Sequence, residues 1–512
     1  MGLPLRNFAV ANCETMKTAE RLKINLRRWK NTYVFFTAFA SLIYLRSYTV
    51  PNGQVSEIKF AANYQADSAI SAELKRQLAD VKSQASLSFP KSVARFYRQN
   101  GVRPAWINKL ENPEQTWEAM LMLDCVLQFG LSHEDYHPNA LSYDLLHIIL
   151  EKPSQVSPAE KAKYDILLTD ALLTFINHLH YGKLNPDFPA AKTDEGIPGG
   201  FNSDEALAHA INQPDFMKAV LDVQPKTKAY ADLQYHMHLL EGVYQGDCYD
   251  IPEATVRKMA INMERLRWAA ITDSTYIQVN IPSFNLKYHL PDTTYEFKTV
   301  VGKPGWPTPS LTSAITYFTT APEWRVPKKI FIKELLPKAL ADPDFFESNQ
   351  YALYDNQGNY IEAGANALAM VKQKPRNYNL RQSSGCDNSL GLIVFRFPNI
   401  YDIYLHDTPE QKLFKAEERD FSHGCIRVEQ AEKLADLILT SDGSEDLIGA
   451  VHKDIIRYKT KDFKLNKPVP IKITYITCEM QKGMLITYKD IYSLDKRLEM
   501  ALYNITDPLA LN

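Results

Sequence analysis

The sequence predicts an α+β protein in which a mainly helical N-terminal region, residues 66–270, precedes a mainly β domain, residues 271–500. In the first region, apolar residues recur with the 3.6-residue period of amphipathic helices. In the second region, this period gives way to alternation and to short runs of β-branched and aromatic residues, separated by Gly and Pro. With 512 residues, 45% of them hydrophobic, the chain can bury more than one core.

Residues 1–50 have the pattern of an export signal or a membrane anchor. The first 30 residues are rich in Arg and Lys, and Asn31 to Leu45 then form an uncharged, largely apolar run. Because the small-x-small triplet Ala38-Phe39-Ala40 falls inside this run, we favour an uncleaved anchor in the inner membrane over a cleaved signal peptide. A buried helix of a cytosolic domain is the third interpretation, and Met16 is an alternative start.

The helical region contains one strongly specified helix. Ser157-Pro158-Ala159-Glu160 is a capping box with proline at the first helical position, and the apolar stripe that follows continues to Leu179. Tyr181-Gly182 then ends the helix. A second helix is predicted from Trp117 to Gly130. Such stripes are core packing, so we interpret residues 66–270 as a scaffold without chemistry of its own, with a surface available to other envelope proteins.

Composition excludes some classes of function. A net charge of −2 argues against nucleic-acid binding by electrostatics. The six cysteines are scattered and include no CxxC pair, so neither a zinc ribbon nor a disulfide framework is indicated.

The candidate nucleophile lies in Ser422-His423-Gly424-Cys425-Ile426-Arg427. Apolar residues from Ala431 to Leu439 predict a helix just after it, so the helix dipole and Arg427 are expected to favour the Cys425 thiolate. Gly424 allows a turn in which consecutive N–H groups point at a developing oxyanion. His406 follows a predicted strand, Ile403–Leu405, and is the candidate base for Cys425.

These residues resemble the signature of the L,D-transpeptidases, the YkuD-type cysteine enzymes that remodel peptidoglycan. Further matches, at Val300–Pro304, Thr308-Pro309, Asn388–Gly391 and Ile403–Pro409, are similar to the large, periplasmic YcbB-like branch. The resemblance implies a YkuD-like β-sandwich, a capping subdomain inserted at about residues 321–385, and a periplasmic or cell-envelope location. This branch often contains a small peptidoglycan-binding module before the catalytic domain. The helix predicted at Ala254–Trp268 begins within about 30 residues of Tyr230–Gln234, so there is no room for this module here.

The resemblance also implies an activity. Cys425, paired with His406, would attack the amide between the third and fourth residues of a peptidoglycan stem and expel D-alanine. A second stem would then take the acyl group to give a 3→3 cross-link. Water as acceptor would give an L,D-carboxypeptidase, and a lipoprotein lysine would give an anchoring enzyme. An envelope scaffold with a degenerate catalytic half is the non-enzyme alternative. The family also implies inhibition by carbapenems.

Several nearby residues have open roles. Ser422, His423, Gly424, Arg427 and Tyr404 are expected to form the oxyanion and substrate pocket. Arg427 either binds a substrate carboxylate or holds the loop through an ion pair, and we favour the ion pair. Tyr404 is expected to form pocket wall.

Two competing sites are disfavoured. Cys386 imitates the nucleophile motif, but the acidic residue after it, Asp387, disfavours a thiolate. A zinc site from His406, His423, Cys425 and Asp407 is disfavoured because His-x-Cys packs poorly around one ion. No metal and no other cofactor is expected.

Overall fold

The computed structural model describes residues 68–107, 113–241, 253–269 and 273–506, all within one compact unit, Asp67–Asn512. The basic segment 1–50 and the predicted anchor, residues 31–45, lie outside the described residues. Among the residues that are described, no helix is both long enough and apolar enough to cross a membrane.

The N-terminal region is helical, as predicted. Its α-helices are 68–79, Val81–Gln84, Pro90–Gln99, Pro113–Asp124, Tyr143–Glu151, Pro158–His180, Ala190–Glu195, Ser203–Ile211, Phe216–Leu221, Lys228–Glu241 and Ala254–Trp268. The helix expected to end at Gly130 is shorter than predicted. It stops at Asp124, and a 3₁₀ turn, Val126–Phe129, continues to Gly130, which has a positive φ of 65°.

The helix Pro158–His180 is the centre of this region. Its predicted capping box is present, and nearly all its residues after the first turn are buried. Two of these buried residues are acidic. Asp165 accepts hydrogen bonds from the backbone N–H groups of Ala105 and Trp106 and from the Tyr97 hydroxyl. Asp170 accepts from the N–H groups of Ser88 and Phe89. These carboxylates attach two irregular segments to the helix, since buried N–H groups need acceptors.

The second region is β-rich. Its strands are β1 Tyr276–Asn280, β2 Asn285–His289, β3 Thr294–Gly302, β4 Leu311–Thr320, β5 Trp324–Arg325, β6 Tyr351–Asp355, β7 Tyr360–Ile361, β8 Tyr378–Gln382, β9 Ile393–Arg396, β10 Leu405–His406, β11 Asp420–Ser422, β12 Ile426–Val428, β13 Lys461–Thr474, β14 Cys478–Gln481 and β15 Met484–Thr487.

Within the described residues, nine strands form one sheet in the order β11-β3-β12-β10-β9-β4-β13-β1-β2. β3, the second strand of this order, also pairs with β2, the last one, so the sheet closes on itself there. The helices Ala431–Asp442 and Ile448–Ile456 pack on the sheet, and the stripe from Ala431 to Leu439 is buried in its core. The fold class predicted from the sequence, helical and then β-rich, is therefore confirmed.

Residues 321–385, which we call the cap, have a sheet and a core of their own. The sheet has the order β5-β8-β6-β7, and the core is built around Phe331, Phe346 and Leu380. Helical segments Lys328–Ile330, Leu336–Ala341, Phe345–Ser348 and Ala365–Gln373 complete it. A π-helical turn, Phe331–Leu335, joins the first two of these segments.

The helix Ala254–Trp268 joins the helical region to the β domain. It shares a core with Ile476, Cys478 and Leu502, which come from the end of the chain. Arg265 Nη1 lies 2.6 Å from Asp495 Oδ1 in the C-terminal helix Asp495–Leu502. The chain end thus returns to the helical region and ties the two together.

Candidate active site

Three neighbouring strands place the candidate residues on the sheet. β10 lies between β9 and β12, with Leu405 opposite Phe395 on one side and Ile426 on the other. This register puts Tyr404 between Arg396 and Cys425, and it puts His406 opposite Arg427. Because alternate residues of a strand share a face, the side chains of Cys425, Tyr404 and His406 are on one face of the sheet.

The Cys425 thiol is partly buried. Its sulfur lies 3.8 Å from the Asp402 carbonyl oxygen, to which the S–H group donates. Burial raises the pKa of Cys425 to about 11, although hydrogen bonds from the backbone and side chain of Tyr404 and the charge of Arg396 oppose the rise. The free protein therefore holds a neutral thiol at neutral pH.

This result corrects the expected thiolate. β12, Ile426–Val428, separates Cys425 from the helix, which begins only at Ala431 after Gln430 in the left-handed region. The positive end of a helix acts within about one turn, so it is too far away along the chain to activate the sulfur. A three-residue strand of this kind gives too short a pattern to be seen in the sequence.

His406 is also buried, with 5% of its surface exposed. Burial and the charge of Arg427 lower the pKa of His406 to about 3, against hydrogen bonds to the carbonyls of Asp407 and Leu390. Nδ1 lies 2.5 Å from the Asp407 carbonyl oxygen, which favours the tautomer with an unprotonated Nε2. Among the described residues, no hydrogen bond joins His406 to Cys425, so the direct pair expected from the sequence is not formed in the free protein.

The turn before Cys425 is fixed on both sides of Gly424. Its N–H donates to Ser422 Oγ at 3.1 Å, and its carbonyl oxygen accepts from Thr308 Oγ1 at 2.7 Å. The N–H and C=O of one trans peptide point in opposite directions, so Thr308 also fixes the direction of the Cys425 N–H. In the part of the chain that the structure describes, this N–H donates to no protein acceptor. Gly424 has φ of 111°, which side-chain-bearing residues rarely adopt.

Of the two N–H groups expected to face an oxyanion, that of Gly424 is therefore occupied by Ser422. Ser422 also donates to the Cys425 carbonyl at 2.5 Å. Arg427 forms the ion pair that the sequence favoured, with Nη1 2.5 Å from Glu410 Oε2.

Comparison with known proteins gives the same two-part division. A family model described as a scaffold domain matches residues 91–237, and one described as an L,D-transpeptidase catalytic domain, YkuD, matches residues 274–470. The chain carries a YkuD L,D-transpeptidase catalytic domain. A Haemophilus influenzae protein named "Putative L,D-transpeptidase" is 27% identical over 430 residues, which are 82% of this chain and 81% of that protein. The predicted resemblance to L,D-transpeptidases is thus confirmed.

The cap contacts the transpeptidase domain beside the thiol. His423 Nε2, two residues before Cys425, lies 2.6 Å from Glu334 Oε1 in the π-helical turn, and Lys303 Nζ lies 3.6 Å from the same oxygen. Burial alone would raise the pKa of Glu334, but the hydrogen bond and charge of His423, with Lys303, lower it overall. The Trp306 ring packs edge-on against His423, with Lys329 Nζ 3.4 Å from its centroid.

Three contributors to the site were missed in the sequence. Trp324 of the cap hydrogen-bonds with Tyr404, which also hydrogen-bonds with Cys425. Tyr404 is thus a neighbour of the sulfur, and its role as pocket wall stays a prediction. Arg396 packs over the Tyr404 ring, and Thr308 orients the turn. The sequence pointed to only one of them, Thr308, as part of the Thr308-Pro309 match to the family.

The structure gives no support to the two alternatives, Cys386 as nucleophile and a zinc site. Cys386 is exposed, in the turns between β8 and β9 of the transpeptidase domain. The carboxylate of Asp407, the fourth ligand of the disfavoured zinc site, accepts the Leu392 N–H at 2.9 Å. Within the described ranges, no group of three or more His, Cys, Asp or Glu side chains could hold a metal ion.

Proposed function

We propose that this protein forms 3→3 cross-links in peptidoglycan by cysteine acyl transfer, with Cys425 as nucleophile and His406 as base. The observation that carries the proposal is the position of the Cys425 thiol. It lies inside an L,D-transpeptidase domain and next to a peptide N–H that donates to no acceptor among the described residues. The donor would be a tetrapeptide stem, and the cell envelope would be the site of action.

In the first step, the Cys425 sulfur attacks the carbonyl carbon between the third and fourth residues of the stem. The S–C bond forms as the thiol proton passes to His406 Nε2, and the Cys425 N–H donates to the oxyanion. The C–N bond then breaks, and His406 returns the proton to the departing D-alanine amine. In the second step, the amine of a diamino acid on another stem attacks the thioester, which releases the cross-linked product and restores the thiol.

The buried resting site explains why the reaction would depend on the substrate. A thiolate and an imidazolium are both disfavoured in the free protein by burial. Hydrogen bonds in catalytic sites often tighten only in the substrate complex, so the missing contact between Cys425 and His406 is compatible with a base role. The cap, through Glu334 and Trp324, would then exclude water from the thioester.

The proposal is tested by measuring D-alanine release from tetrapeptide stems. Cys425→Ala should lower the rate by roughly three orders of magnitude or more, because the described residues place no second thiol in the site. The control Cys386→Ala should keep nearly the full rate. Equal losses in the two variants would reject Cys425 as nucleophile.

Mass spectrometry of the same reactions identifies the acceptor. Dimeric products joined through their third residues are expected. Free tripeptides alone would identify an L,D-carboxypeptidase, and protein-linked stems would identify an anchoring enzyme.

A further inference from the structure

Arg396, at the end of β9, is a cation beside the thiol that packs over an aromatic ring. Its guanidinium lies 5.4 Å from the centroid of the Tyr404 ring, and Tyr404 contacts the Cys425 sulfur. The side chain is partly exposed. Among the described residues, none accepts a hydrogen bond from Arg396 and no carboxylate pairs with it, although a guanidinium carries five N–H donors.

Two other arginines of the same domain have partners within the protein. Arg427 pairs with Glu410, and Arg419 donates to backbone carbonyls that include those of Thr299 and Phe284. Arg396 differs from these two because, among the described residues, its side chain has no hydrogen-bond acceptor or carboxylate partner and lies on the face of the sheet that holds the thiol. An unpaired, partly buried guanidinium at such a position is well suited to an anionic ligand.

We propose that Arg396 binds the free carboxylate of the C-terminal residue of the acyl donor, the residue that leaves in the first step. This inference rests on the proposed function and adds the substrate feature that the site recognises.

The distances fit this assignment. Arg396 and Cys425 are separated by two strand spacings, about 10 Å, which a long arginine side chain largely spans. In the donor, the terminal carboxylate carbon is three bonds from the scissile carbonyl carbon, about 4 Å away at most. A carbonyl held at the sulfur therefore has its terminal carboxylate within reach of the guanidinium.

A consequence for specificity follows. Stems that end in a free carboxylate one residue beyond the scissile bond should be preferred over stems whose end is amidated. The pairing is also temporary, because the carboxylate departs with the amine and leaves Arg396 unpaired before the acceptor binds.

The test compares two synthetic tetrapeptide stems that differ only in a C-terminal carboxylate or carboxamide. Their binding to full-length Cys425→Ala protein is measured by calorimetry, and D-alanine or D-alaninamide release is measured with the reactive protein. Each assay is repeated with Arg396→Gln, with Arg396→Lys, and with the exposed control Arg457→Gln.

We expect Cys425→Ala protein to bind the carboxylate stem roughly tenfold to a hundredfold more tightly, the range for a charge-assisted hydrogen bond. Arg396→Gln should remove this preference, Arg396→Lys should restore part of it, and Arg457→Gln should leave it intact. Equal binding of the two stems, or a preference that survives Arg396→Gln, would overturn the assignment of Arg396. An Arg396-dependent preference in binding without any D-alanine release would support the carboxylate site and instead overturn the proposed transpeptidation.

Discussion

Burial sets the resting state of the site at the scale of single residues. Cys425 and His406 are both uncharged in the free protein near neutral pH, because burial disfavours their charged forms. Activation therefore depends on what the substrate adds, such as a polarised carbonyl at the Cys425 N–H, and not on a preformed ion pair.

The lowered pKa of His406 predicts a dependence of stability on pH. The unfolded chain takes up a proton near pH 6.5, but the folded chain does so only near pH 3. Folding stability linked to His406 is thus complete above pH 6.5 and is lost as the pH falls toward 3. Between these values the wild type should lose about 1.4 kcal/mol per pH unit more than His406→Gln.

Urea denaturation at several pH values between 4.5 and 7.5 measures this difference. His178, which burial gives a pKa of about 4, should contribute equally to the slope in both proteins and so cancels. Parallel slopes for wild type and His406→Gln would show that His406 is not buried in its neutral form.

Thr308 supplies a second prediction at this scale. Thr308→Val removes the hydroxyl that binds the Gly424 carbonyl, and so releases the direction of the Cys425 N–H. We expect kcat for D-alanine release to fall by roughly tenfold to a hundredfold with little change in KM, which is less than for removal of an oxyanion donor, because Thr308 only orients the Cys425 N–H. Thr308→Ser should restore most of the rate. A loss confined to KM would contradict this role for Thr308.

Some of these residues were predictable from the sequence, and others were not. The motif around Cys425 indicated the nucleophile, because short-range spacing of Cys, His and Gly is specific. The low pKa of His406 and the roles of Trp324 and Arg396 depend on strands and a cap that are distant in sequence. No local pattern contains that information.

At the scale of elements, the cap reaches the active site through the π-helical turn. Glu334 is the residue of this turn that contacts His423, and π-helical turns in helices frequently mark functional sites. The short strands β10 and β12 also position the candidate residues. They are too short for a sequence pattern to predict them.

Glu334→Gln should weaken this contact without unfolding the cap, whose core does not include Glu334. We expect the acyl form made by a carbapenem to hydrolyse several-fold faster, because water reaches the thioester more easily. Intact-mass measurement of the adduct over time gives the rate. Glu347→Gln, an exposed change in the same subdomain, is the control. Equal hydrolysis in all three proteins would argue against the cap as a lid.

At the scale of the whole molecule, a mostly buried ion pair links the helix Ala254–Trp268 to the C-terminal helix Asp495–Leu502. Arg265 and Asp495 are mostly buried, with 6% and 14% of their side chains exposed. Arg265→Ala would leave Asp495 buried with less compensation, and should cost about 3–5 kcal/mol.

Chemical denaturation measures this cost. The control Arg76→Ala removes a solvent-exposed pair with Glu73 and should change the free energy of unfolding far less than Arg265→Ala does. Similar small losses in both variants would show that the chain end does not stabilise the joint between the two regions.

The order of the two regions was predictable, because helical period and β alternation differ over long stretches. The return of residues 476–502 to the helix Ala254–Trp268 was not, since this core joins segments more than 200 positions apart. The buried carboxylates Asp165 and Asp170 were also missed. In the sequence, an acidic residue within an apolar stripe appears only to interrupt the hydrophobic pattern of the helix. Its role is seen only when the N–H groups that donate to it are known.

The most direct test of cysteine acyl transfer is intact-mass spectrometry of the protein quenched with acid soon after mixing with a tetrapeptide stem. Wild type and Cys386→Ala should gain the mass of the stem minus D-alanine, and peptide mapping should place it on Cys425. Cys425→Ala should gain nothing. An adduct that persists in Cys425→Ala, or one that maps to another residue of the wild type, would contradict the assignment of Cys425 as the nucleophile.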